Sequence, residues 1–405
     1  MNPNLPLIHL VSDQTMQNLL PILSLKPQII LQVRSSDVRF QRKSENLKSA
    51  LAEVRKLDSY CDYDPEIQDC KIESKSPSIE QVRKFTGGLQ ASFGGAVFNL
   101  TGGTKLMSIG AYLTAQKENQ PSFYCDTQSQ QFLDQETGLN LFKEEAAPSL
   151  KEIAKRLNVR VALAAQGWEE GKQWTVDASN PELVPLSEID HENIEKYGAE
   201  WISFRNQLRS HIRRGGEVTK EDYIRCQSEP LPLTNNEDFI RFFEQGVRVC
   251  LLRKTADRYY VQVGSEGATK TNLKSLNGLV RKLVGLLWEL KVGALLQSES
   301  DYTDWISNFK PIGNSNSLDV GETDYLAYSP KDIGLTIISC KSSKPSLEHW
   351  ESLLSRRERL GGIHTKTLLA IQSVEKNDKQ IVLDRAKRFG YQVAFGSIHP
   401  ESLNI

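Results

Sequence analysis

The feature that most constrains this chain is the alternation of short apolar runs with amphipathic helices across its first 120 residues. LPLIHLVSD (5–13), PQIILQVRS (27–35) and GAVFNLTGG (95–103) are rich in Leu, Ile and Val, and each closes in polar or glycine residues. That is the pattern of strands buried on both faces. Between them, QTMQNLLPILSL (14–25), SENLKSALAEVRKL (44–57) and PSIEQVRKFTGG (77–88) carry a helical period, the second opened by Ser44 as N-cap. Strand followed by helix, repeated, predicts an open α/β layer with a largely parallel sheet. PSFYCDTQSQQFLD (121–134) adds one or two late strands at the sheet edge.

Length extends this beyond one layer, because 405 residues exceed a single typical core. An Ala-Pro break at 147–148 sets a junction near residue 150. Residues 151–274 read as a helix-rich connector, with IEKYGAEWISFRNQLRSHIRR and NEDFIRFFEQGVRVCLLRK as helices and RYYVQVGSE as a strand. Residues 275–405 form a second α/β unit. It opens with one long helix, SLNGLVRKLVGLLWELKVGALLQS (275–298), and continues with strands and helices in alternation.

Hydrophobic content of 39% and charged content of 25% describe a folded chain, and a formal net charge of -1 leaves any nucleic-acid contact to local basic patches. The N-terminus lacks signal-peptide features and no apolar run reaches membrane-spanning length, so a cytoplasmic protein without membrane contact is expected. Six scattered cysteines have no CxxC or zinc spacing and read as reduced thiols.

Two stretches carry chemistry. NLTGGTKLMSIGAY (99–112) sets two glycines, two threonines and a lysine at a strand-to-helix turn. Glycine lets backbone N–H groups approach an anion, the helix start favours negative charge, and Thr101, Thr104 and Lys105 add hydrogen bonds and a cation around Gly102 and Gly103. The turn lacks the P-loop pattern, so it reads as binding without hydrolysis, or as a glycine turn with no ligand. The first strand ends in Ser12, Asp13 and Gln14, with Asn18 a turn further on, at the same carboxyl edge of the sheet. This pair of loops resembles the CARF sensor domains of CRISPR-associated ancillary proteins, over roughly residues 1–150. The resemblance implies a Rossmann-like, homodimeric domain that binds a cyclic oligoadenylate, cyclic tetra-adenylate foremost, through Ser12, Asp13, Gln14, Thr101, Gly102, Gly103, Thr104 and Lys105; Asn18, by its place at the same edge, is a further ligand-binding candidate.

The second stretch is GETDYLAYSPKDIGLTIISCKSS (321–343). In a strand, Glu322 and Asp324 point to one face and can share a divalent cation. Lys341, closing the next apolar run, can stabilise charge on a phosphoryl transition state. Glu289, among leucines on the preceding helix, can help to position metal or water, and Asp319 is a rival ligand. The series resembles the restriction-endonuclease-like PD-(D/E)xK nucleases, specifically those at the C-terminus of CARF-linked effectors. It implies a nuclease dependent on Mg²⁺ or Mn²⁺ at 275–405, with Glu289, Glu322, Asp324 and Lys341 as catalytic residues and the three acids as metal ligands. The chain departs from the pattern at Ser339, where an acid is usual.

Lys344, Arg356 and Arg359 are candidate nucleic-acid contacts, DNA or RNA, with Trp350 placed to stack a base; a solvated helix balanced by glutamates is the other reading. Arg205 and His211 have a loose ribonuclease-like spacing, which amphipathic surface residues also produce. Two functions stay open: a ligand-gated nuclease, and a ligand-sensing regulator that binds nucleic acid without cutting it.

Overall fold

The structure, a computed structural model, describes residues 5–126, 131–135, 137, 149–169, 183–212, 218–232, 234–263, 269–280, 286–299, 301–313, 323–360 and 365–400. Packing divides the chain into two units: Met1–Gln173 with Asp301–Ile337 and Ser355–Lys366, and Trp174–Ser300 with Ile338–Leu354 and Thr367–Ile405.

In the N-terminal region β1 (Leu7–Leu10), α1 (Thr15–Leu25), β2 (Ile29–Arg34), α2 (Val38–Val54), β3 (Glu66–Lys71), α3 (Ile79–Ser92), β4 (Val97–Asn99), α4 (Lys105–Lys117), β5 (Ser122–Asp126) and β6 (Gln131–Asp134) follow one another, the alternation the sequence predicts with one strand added, β3, which no apolar run announces. They build a six-stranded sheet of order β3-β2-β1-β4-β5-β6. β1 runs parallel to both β2 and β4, with His9 level with Gln32 on one side and Asn99 on the other. Only the edge strand β6 is antiparallel, paired with β5 as a hairpin. Ile8, Leu10, Leu31, Val33, Phe98 and Met107 share one buried cluster, each side chain contributing about 1.5–3 kcal/mol by leaving water.

Helix starts follow local chemistry. Ser78 and Gln81 form a reciprocal capping box for α3, and Thr104 caps α4 through a bond from the Met107 N–H. The start expected at Ser44 lies earlier: Asp37 caps α2 by accepting from the Arg39 N–H at 2.8 Å. Ser44 is instead buried inside the helix, its hydroxyl donating to Gln32.

The next stretch holds α5 (Leu150–Arg156), α6 (Val159–Gln166), β7 (Trp168–Glu169), α7 (Val184–Tyr197), α8 (Ala199–Ile212), α9 (Lys220–Ser228), α10 (Glu237–Arg248) and the hairpin β8 (Leu252–Thr255) with β9 (Arg258–Val261). The helix predicted across 275–298 is described as α11 (Lys270–Val280) and α12 (Leu287–Glu299). β10 (Asp304–Phe309), β11 (Ile312–Gly313), β12 (Thr323–Ser329), β13 (Gly334–Lys341), α13 (Leu347–Leu360), β14 (Lys366–Ile371), α14 (Lys376–Phe389) and β15 (Gln392–Phe395) complete the chain. A second sheet has order β10-β12-β13-β14-β15. It is mixed, with β10–β12 antiparallel and β14–β15 parallel.

Within the second unit, Asp190 is fully buried and satisfied by neighbours. It accepts from Trp201 Nε1 at 2.9 Å, Gln372 Nε2 at 2.8 Å and Arg205 Nη1 at 3.3 Å. Arg205 is thus a buried structural cation, which removes the ribonuclease-like reading of Arg205 and His211. Trp350 is also corrected: it is buried, stacked on Tyr391 at 5.7 Å and tilted against Phe389, so it does not offer a face to a base.

Candidate functional site

In the first sheet, strand order reverses between β1 and β4, and the loops leaving their carboxyl ends diverge to opposite faces. This switch point is where an open α/β sheet forms its ligand crevice. Its two walls are the segment 11–14 before α1 and the turn 100–104 before α4.

The walls touch through glycine. A Cβ on Gly102 would lie 1.9 Å from the Leu10 carbonyl oxygen, and one on Gly103 would lie 2.9 Å from Leu10 Cβ. Gly103 also has φ +77°, a left-handed conformation that favours glycine. The Ser12 hydroxyl links both ways to Gln14, accepting from its N–H at 3.1 Å and donating to its carbonyl at 3.2 Å. Asn18 donates to the Leu10 carbonyl at 3.2 Å and so holds α1 on the end of β1. Thr101 donates its hydroxyl to Asn99 Oδ1 at 2.6 Å and accepts from the Cys125 N–H at 2.7 Å, fixing the opposite wall to β5. Ser108 donates to the Gly102 carbonyl at 2.9 Å.

The predicted sensor residues are therefore gathered at one edge, and they divide by task. Ser12, Asn18, Thr101 and Thr104 spend hydrogen bonds on holding the loops, while Asp13 and Lys105 are exposed at the rim. The opening N–H groups of α4 have no partner within the helix, as at any helix start, and favour an anion. Two buried polar atoms at this edge, Thr15 Oγ1 and Asn99 Nδ2, lack hydrogen-bond partners.

Two cations escaped the sequence reading. Arg39 Nε stands 3.7 Å from Asp13 Oδ1. Lys43, one turn further along α2, is half-buried; burial lowers its pKa, with Asp13 pulling it up and Arg39 pushing it down. The signal was an Arg and a Lys four apart on the helix leaving β2, and it acquires meaning only once β2 is known to flank β1. Below them Arg34 grips Asp69 through two nitrogens, both at 2.7 Å. His9 is wholly buried, and desolvation lowers its pKa to about 4, with Asn18 opposing.

The second candidate set is dispersed over more elements. Glu289 is half-buried in the first turn of α12, where the helix dipole favours a carboxylate. Asp324 is the second residue of β12 and Lys341 the last of β13, both half-buried, on strands joined by residues 330–333. Glu322 and Asp319 lie outside the described residues. Glu289 and Lys341 belong to the second unit and Asp324 to the first. Among the described residues no group of three or more His, Cys, Asp or Glu side chains could hold a metal ion.

Ser339, two residues before Lys341, is buried with its Oγ 3.1 Å from His349 Nε2 of α13. Lys344 is ion-paired with Asp378 of α14 at 2.7 Å. Arg356 is half-buried and Arg359 exposed on α13.

A Rossmann-like sheet with a glycine turn at its switch point defines the class of the N-terminal region. Residues 7–160 match the family model for the Card1 CARF domain. Over 96% of its length the chain is similar in fold to Can2 from Sulfobacillus thermosulfidooxidans in complex with cyclic tetra-adenylate, with TM-score 0.66, 18% identity and 95% of that chain covered. It is likewise similar to VC1899 from Vibrio cholerae, with TM-score 0.65, 14% identity and 94% of that chain covered. None of the curated proteins matches the chain. Among the described residues no helix is long and apolar enough to cross a membrane.

Proposed function

We propose that this protein is a cytoplasmic, homodimeric nuclease of type III CRISPR defence, switched on by a cyclic oligoadenylate. The sensor is the domain at 1–150, the nuclease the domain at 275–405, and the residues between connect them. The observation that carries the reading is the match of residues 7–160 to the Card1 CARF domain, on a sheet whose switch-point crevice holds a glycine turn and an exposed lysine. The fold shared with a Can2 chain bound to cyclic tetra-adenylate supports that ring as activator.

In this reading the α4 N–H groups and Lys105 take a ligand phosphate, Asp13 and Gln14 meet the base or ribose, and Arg39 and Lys43 add positive charge at the rim. In the nuclease domain, Lys341 neutralises charge developing on the scissile phosphate. Asp324, Glu289 and Glu322 would supply oxygen ligands to Mg²⁺ or Mn²⁺, whose chemistry is to polarise the phosphate and lower the pKa of bound water. Arg356 and Arg359 track the DNA or RNA backbone.

The buried Ser339–His349 contact favours a second reading, a sensor whose C-terminal domain holds nucleic acid without cutting it. Titration calorimetry with cyclic tetra-adenylate tests the sensor. Binding that weakens about tenfold in Lys105→Ala, the loss of one charge-assisted phosphate contact, supports it; heat-silent titrations of the intact protein at any ring size would remove it.

A further inference from the structure

Residues on the far side of the sensor loop face a strained turn of the second sheet across a shared cavity. Gln14, Met16 and Gln17, at the start of α1, line one wall of a cavity of about 50 Å³ whose other wall is Asp332, Ile333 and Leu335, all within the first unit. Gln14 faces two ways. Its backbone is tied to Ser12 at the crevice rim, while its buried Oε1 has no hydrogen-bond partner.

The opposite wall is a turn held in an unfavourable shape. Ile333 is buried with φ +50°, a left-handed conformation that a β-branched residue adopts only when its surroundings impose it. Asp332 imposes much of it. Its N–H donates to Ser329 Oγ at 3.3 Å, its Oδ2 accepts from that hydroxyl at 3.0 Å, and its Oδ1 pairs with Lys366 Nζ at 2.7 Å. The turn is thereby pinned to the end of β12 and the first residue of β14.

We infer that the 330–333 turn is the relay by which ligand in the crevice reaches the strands carrying Asp324 and Lys341. Ligand contact with Ser12 to Gln14 displaces the first turn of α1 toward the shared cavity, and the strained turn on its other wall switches to a second backbone arrangement and carries β12 and β13 with it. The inference rests on the proposed ligand-gated nuclease, and it assigns Asp332 and Ile333 as transmitting residues, which neither binding nor cleavage requires.

The test is hydrogen exchange of the intact protein with and without cyclic tetra-adenylate, read at amides 330–336, together with Ile333→Gly, which relaxes the turn without touching the crevice. The expected result is an exchange change of about fivefold or more at the turn on ligand addition. The variant should still bind, its Kd shifted by no more than about that factor because coupling is reciprocal, while its ligand stimulation of cleavage falls by about the same factor. Binding with unaltered exchange at 330–336, or undiminished stimulation in Ile333→Gly, overturns the relay and leaves the sensor standing. Absence of binding takes down the sensor and the relay together.

Discussion

Gly102 shows how little freedom the crevice wall has. The atom that would clash with an added Cβ is the Leu10 carbonyl oxygen, a backbone atom of the central strand that cannot swing aside. Gly102→Ala is expected to cost about 1–3 kcal/mol, in line with overpacking a tight site, and to abolish cyclic tetra-adenylate binding. Urea unfolding and calorimetry on the one variant read both effects. His9 gives a second test beneath the crevice. Its folded pKa, near 4, lies below the unfolded value of about 6.5, so its stabilising share is complete above pH 6.5 and is lost as pH falls toward 4. Between pH 7 and 5 that share amounts to about 2 kcal/mol. His9→Asn should therefore lose less stability over this interval than the parent protein, as measured by urea midpoints at the two pH values; parallel losses would show that His9 is not the titrating group.

At the scale of elements, β13 is where the account is most exposed. Ser339 and Lys341 share a face of the strand by its period of two, and His349 of α13 meets that face at Ser339. Ser339→Asp restores the acid that nucleases of the resembled pattern place there. It should lower the Mn²⁺ concentration for half-maximal cleavage about tenfold, the usual scale for one group at a metal site. An unchanged metal requirement would mean that metal binds elsewhere. Much of this was legible in sequence. The β1 and β4 runs, the glycine turn and the hairpin at the sheet edge all announce themselves through local pattern. What stayed hidden depended on neighbours distant in sequence. Arg39 and Lys43 reach the crevice only because β2 lies beside β1. Arg205 looked like a surface cation until Asp190 and Gln372 enclosed it. Trp350 was legible, since it shares a helical stripe with Leu353 and Leu360, all three buried, and the helical period alone would have turned it inward.

For the whole molecule, the central claim is that one crevice governs chemistry performed elsewhere in the chain. Ligand energy can do so only if the active and inactive conformations differ in affinity for the activator, and a tenfold shift in their ratio needs about 1.4 kcal/mol of such difference. A net charge of -1 gives no overall attraction to nucleic acid, so substrate capture must come from local cations such as Arg356 and Arg359, and cleavage should weaken steeply with salt. The most direct measurement is cleavage of labelled single-stranded RNA, single-stranded DNA and supercoiled plasmid with Mg²⁺ or Mn²⁺, with and without cyclic tetra-adenylate, beside Lys341→Ala. The account predicts cutting that requires both ligand and metal and that Lys341→Ala removes while ligand binding is retained. Ligand binding without cutting of any substrate would contradict it and establish the regulator instead.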